Sequence, residues 1–257
     1  MALNGSNFMT QSPPQIAFKG TRLVRLLSDM AVSDVEVSHK QFTERLGRLI
    51  DLSESIALSE AHWKASKIKY EPTGTSSEKV KDEFLRVRGA MVQSVIKTFV
   101  PSAGPTLIKL PKVKPEGFAD KSTAYESYKR FYVAHQREID FKIQNLQSYV
   151  RDAVSGYSTP LAKLAALDVA LNAAIEGHTR KFLLVIPRLL GKRFDYLYNE
   201  HLQQSKQADP ESWMLAGAWL DKFCREMQGV LLAEIDIRLQ PVLGLVEALN
   251  KEVDKDQ

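Results

Sequence analysis

The residues whose types could carry metal or acid–base chemistry are five histidines, one cysteine and the carboxylates near them. His39, His62, His135, His178 and His201 each stand alone at helical spacing from any other histidine. A di-iron bundle needs two Glu-x-x-His pairs with further carboxylates, and no such pair occurs. No His-Glu-x-x-His is present, and one cysteine with scattered histidines does not make a zinc site. Cys224 lies between Phe223 and Arg225 in a helical pattern, with no histidine nearby to activate a thiolate, so it reads as a small core hydrophobe. The serines sit in capping or surface contexts without a nucleophile elbow. Neither GxxxxGK[ST] nor GxGxxG is found, so no glycine cradle for a nucleotide is expected. No catalytic residue, metal site or cofactor follows from these residues.

His135 and His178 remain the one candidate polar pair. Each interrupts the apolar stripe of a long helical segment. If those segments pack antiparallel, the two rings could meet, or each could find a carbonyl, a tyrosine or Asp168 as its own partner. Asp168 and Glu176 read as solvated edges of their segment. The basic stretch Lys109–Lys114 and the pair Arg86 and Arg88 could touch phosphates. A nucleic-acid footprint gathers more charge than this and interleaves aromatics.

The elements that position these residues are helical throughout. Apolar residues recur every three or four positions, and alternating runs and hairpin turns are nearly absent. The first helix should follow Gly20 and Thr21. A second follows Ser38, burying Phe42, Leu46, Leu49 and Ile50. A restart at Asp51 or Ser53 turns Ile56, Leu58 and Trp63 inward. Ser76 or Ser77 caps a helix running to about Phe99, with Val80, Phe84, Val87, Met91, Val95 and Phe99 on one side. In the second half, Ser122 or Thr123 opens a helix to about Ser155, whose stripe runs from Tyr125 through Tyr128, Tyr132 and His135 to Val154. Thr159 and Pro160 open the next, with Leu161, Leu164, Leu167, Leu171, Ile175, His178, Phe182 and Leu189 inward, and Pro187 kinking or splitting it. Asp209 and Pro210 repeat the cap-plus-proline start before Trp213. In the last segment Leu232, Ile235, Leu239, Val242, Val246 and Leu249 keep an unbroken rhythm across Pro241. Apolar residues beyond this stripe mark a helix buried by more than one neighbour. That neighbour is either the protein's own core or a partner, which makes these six the candidate partner-contacting residues.

The fold class is therefore all-α, with long antiparallel helices in the C-terminal half and shorter helices in the N-terminal half. Residues 1–19 read as a flexible tail, 20–100 as an N-terminal helical region, 101–120 as a basic Pro/Gly-rich connection, and 121–257 as a long-helix bundle. Lys and Arg number 35 against 31 Asp and Glu in 257 residues. The excess lies in residues 1–120, with 17 basic against 13 acidic side chains, and is too small to mark a nucleic-acid binder by itself. One cysteine excludes a disulfide-stapled secreted scaffold. No secretory signal and no apolar run of spanning length are apparent, so a cytoplasmic protein is expected, with no transmembrane segment.

Three groups of stretches carry a resemblance. The first comprises residues 21–27, 42–46 and 56–59; the second, 131–138, 164–168 and 187–190; the third is the run Leu231 to Leu249. Together they resemble an uncharacterised family of bacterial all-helical proteins, a domain of unknown function, over most of the chain. Members of that family are often encoded beside proteins resembling an inner-membrane motor and a peptidoglycan-binding envelope protein. The resemblance implies a cytoplasmic partner of an envelope complex, peripheral at the inner membrane, and supplies no catalytic residues. The expected function is a non-enzymatic interaction or adaptor protein, able to form homo-oligomers. The alternatives are a nucleic-acid-associated helical protein and a helical-bundle ligand or metal binder built on His135 and His178.

Overall fold

Apolar side chains recurring every three or four residues place one side of each segment indoors, and that side decides how the helices assemble. The computed structural model describes residues 21–30, 52–72, 74, 76–100, 104–112, 121–204 and 210–255. Seven α-helices and no strand occur among them: α1 Arg22–Met30, α2 Leu52–Ser66, α3 Ser77–Thr98, α4 Lys121–Ser155, α5 Thr159–Gln204, α6 Trp219–Arg238 and α7 Gln240–Lys255. The fold is all-α, and the two longest helices lie in the C-terminal half. The expected tail and the helix after Ser38 lie outside the described residues.

α4 spans about 50 Å at 1.5 Å per residue, and its partners set the direction of everything around it. Gln136 reaches Leu183 and Arg151 reaches Asp168, so numbering falls along α5 as it rises along α4. The two are antiparallel. Arg193 with Glu226, and Tyr198 with Trp219, make α6 antiparallel to α5 and hence parallel to α4. Ser94 with Glu138, and Thr98 with His135, lay α3 antiparallel on the other flank of α4. One apolar core draws on α1 (Leu23), α3 (Val80, Phe84, Met91, Val95) and α4–α7 together. Residues on both sides of the 101–120 connection share that core. Within the described part of the connection, Ile108 and Leu110 pack against it while Lys109 and Lys112 stay exposed.

Ser76 caps α3 as expected, its Oγ accepting from the Lys79 N–H. Several other local expectations are corrected. Leu161 N–H finds Ser158 Oγ, so the α5 cap stands one residue before Thr159. Pro187 lies inside α5 without splitting it. Pro210 opens no α-helix: Pro210–Met214 is a 3-10 turn, α6 starts at Trp219, and Asp209 lies outside the described residues. Gly217 makes that restart possible at φ +85°, where a Cβ would be strained, and its N–H is taken by Asp221. The rhythm across Pro241 persists, but the helix is interrupted at Leu239, because Pro241 has no N–H to continue the ladder. On α2, Ile56 and Trp63 are 60% and 59% exposed and Ala65 is buried instead, so the helix turns its small side inward.

Candidate functional site

The buried rhythm of α6 runs through Leu220, Phe223, Met227 and Leu231 and then lands on a carboxylate. Glu234 is 0% exposed. Tyr132 donates to its Oε2 at 2.8 Å, and Gln136 Nε2 donates to both oxygens at 3.1 and 3.3 Å. Arg238, one turn on, brings Nε to 3.5 Å of Oε1. Every one of these neighbours donates, which suits an anion. Burial nevertheless dominates and holds the carboxyl above its usual range, with Arg238, Tyr132 and Gln136 pulling it back down. Arg238 also reaches the Gln136 carbonyl and the half-exposed Asp140, each at 3.3 Å. A chain of polar contacts thus leads from the centre of the core to solvent.

The same glutamine repairs α5. Pro187 has no N–H, so the Leu183 carbonyl loses its helical donor. Gln136 Nε2 donates to that carbonyl at 3.3 Å. One turn further along, Tyr125 Oη donates to the Pro187 carbonyl. Gly191 makes room for the ring, since a Cβ there would stand 2.8 Å from Tyr125 Cε1. Two side chains of α4 therefore hold the proline turn of α5, and Gln136 supplies the donor that the proline lacks.

The two candidate histidines do not act on each other. His135 is 1% exposed and stands 3.2 Å from Thr98 Oγ1. The Thr98 hydroxyl donates to the Val95 carbonyl, so it accepts from the His135 Nε2–H. Phe131 packs edge-on against that ring. Burial lowers the imidazole to about 4, Glu138 raising it and Lys142 lowering it further. The cleft beside it, between Met91, Ser94, Ile139 and Lys142, holds no water-sized space. His178 is turned toward α2, with Nε2 3.7 Å from Glu54. Asp168 is a structural contact rather than a solvated edge: it binds Arg151 at 2.7 Å and Gln147 at 3.3 Å. Cys224 is buried, and burial pushes its thiol up to about 12. Among the described residues no group of three His, Cys, Asp or Glu side chains could hold a metal ion.

The surface candidates are redistributed as well. Of the six partner-contacting candidates, Ile235, Leu239, Val242, Val246 and Leu249 are buried in the chain's own core, and only Leu232 is partly exposed. They pack against α4 and α3 and offer nothing to a partner while the bundle is closed. Arg86 is spent on Glu83 at 2.6 Å and Arg88 on Asp236 at 3.0 Å, which leaves little for phosphates. Apolar surface remains on α5, where the expected inward stripe is half solvated. Leu164, Val169, Leu171, Phe182 and Leu184 are exposed there, and Ile56 and Trp63 of the adjoining α2 join them. Sequence reasoning missed Glu234. A signal existed, since the residue falls on the core phase of α6 four positions before an arginine.

No helix among the described residues is long and apolar enough to cross a membrane. No curated protein and no solved structure matches the chain. One family does, the one described as protein of unknown function (DUF3348), over residues 9–251. That span covers nearly the whole sequence and the described helices up to the last turn of α7, and the chain belongs to the DUF3348 family.

Proposed function

We propose that this protein is a non-enzymatic interaction protein, an adaptor that works beside a membrane-anchored envelope complex. The observation that carries the proposal is the row of large apolar side chains left in solvent on one side of the longest helix, Leu164, Leu171 and Phe182, with Ile56 and Trp63 exposed on the adjoining α2. Exposed apolar residues gathered on adjoining helices are a common mark of protein docking, whereas isolated ones need no explanation. The titratable groups of the interior support the same view, because Glu234, His135 and Cys224 are enclosed by packing and by hydrogen bonds that hold the helices together. The envelope location rests on the gene neighbourhood that the family resemblance implies.

The test is cross-linked affinity purification of the tagged protein from its own bacterium, with nuclease-treated controls and identification by mass spectrometry. Recovery of envelope-complex subunits, reduced by Leu171→Ser with Phe182→Ser, is the expected result. Recovery of nucleic-acid-dependent neighbours alone, or of no protein, overturns the proposal.

A further inference from the structure

The outward side of α4 carries a second and chemically different surface. Its buried stripe, Tyr128, Tyr132, His135, Ile139 and Ile143, faces the core. On the opposite side Arg130, Ala134, Arg137 and Phe141 follow one another in steps of four, three and four, which aligns them along the helix. Phe141 is 66% exposed. Arg130 and Arg137 are exposed, and neither has an ion-pair partner among the described residues. Between them Val133 and Ala134 form a shallow, open patch on the helix surface, beside Glu126 and Lys129.

We propose that this face docks an acidic amphipathic helical segment of a protein partner. The proposal rests on the interaction role above and adds a separate surface with a stated chemistry. Two arginines a pair of turns apart match two carboxylates at the same spacing on a facing helix, and guanidinium groups hold carboxylates in two-point contacts. Ala134 leaves room between them for an apolar side chain, and Phe141 extends the apolar strip at one end. A nucleic-acid backbone fits less well. Two free arginines, Arg130 and Arg137, are few for a phosphate chain, whose binding sites gather many more cations. Val133, Ala134 and Phe141 would also stay wet under a phosphate chain.

The probe is a fluorescein-labelled helical peptide of about 15 residues, carrying two glutamates about seven residues apart with leucines between them. A glutamine version, a lysine version and a short DNA duplex are the comparisons. Fluorescence anisotropy should show the glutamate peptide binding roughly tenfold more tightly than the glutamine one at low salt. Arg130→Glu with Arg137→Glu should abolish that preference and transfer it to the lysine peptide, and Phe141→Ala should weaken all binding. All three positions are exposed, so circular dichroism should find the variants folded. Equal binding of the glutamate and glutamine peptides overturns the proposal, as does duplex DNA binding more tightly than the acidic peptide. The cellular cross-linking separates the two levels. Partners recovered by the wild type and lost in the double arginine variant support this face. Partners recovered equally by both overturn it and leave the interaction role standing. No partner recovered even by the wild type removes both.

Discussion

At the residue scale, two buried ionisable groups make stability depend on pH in opposite directions. His135 titrates near 4 in the folded protein against an ordinary 6.5, because its burial excludes the charged ring. Below the ordinary value the unfolded chain takes up a proton that the folded one refuses, so stability is lost as pH falls from 6.5 toward 4. Glu234 is displaced upward, so the folded protein keeps its proton where the unfolded chain has released it. Its contribution is present at acid pH and is lost as pH rises above the ordinary carboxylate range. His135→Asn should flatten the acid limb of a denaturant-midpoint profile, removing up to about 3 kcal/mol of pH dependence. Glu234→Gln should do the reverse, leaving the acid limb steeper and raising stability toward neutral pH. Glu234→Leu is different in kind. It strands Arg238, Tyr132 and Gln136 without their acceptor and should cost about 3–5 kcal/mol. A profile unchanged by either conservative variant would show that neither group is linked to folding.

At the element scale, Gln136 connects a broken backbone in α5 to the buried carboxylate of α6. Gln136→Leu should destabilise by about 2–4 kcal/mol, since it orphans the Leu183 carbonyl and removes two bonds from Glu234. Pro187→Ala returns an N–H to that carbonyl. In a Pro187→Ala background the glutamine should therefore matter less, and urea denaturation should give a coupling of about 1 kcal/mol or more between the two sites. Additive effects would show that the proline gap and the amide are independent. The helices themselves were legible, because a three-four rhythm depends only on which residues are apolar. The stripes of α3 and α4 are found where that rhythm puts them. What the rhythm could not supply is which side of an evenly apolar helix wins. α5 has leucines on several sides, and the choice fell to Leu183, Ile186, Leu190, Phe194 and Leu197, because those face α4 and α6. Glu234 was hidden for the matching reason: a lone carboxylate in an apolar run looks like an edge until Tyr132 and Gln136, about a hundred positions away, are folded against it.

At the scale of the whole molecule, one core joins the N-terminal helices to the long bundle, so the C-terminal apolar stripe is part of what holds the chain folded. Leu239→Asp with Val246→Asp places two unpaired charges where the wild-type residues are 2% and 3% exposed. Each should cost several kcal/mol. Loss of helical circular dichroism and of a cooperative thermal transition is the expected outcome. A folded double variant that merely failed to associate would return this stripe to the surface. The faces left for partners are then those that the core does not use, the outer sides of α2, α4 and α5.

The proline in α5 has a consequence for how such a sequence can change over generations. While it stands, losing Gln136 exposes a bare carbonyl at Leu183. Once the proline is replaced by a residue with an N–H, Leu183 has its own donor and Gln136 is released from that task. The tolerated order of substitution therefore runs one way: position 187 first, and position 136 afterwards. The two sites behave as a ratchet with the proline as its pawl.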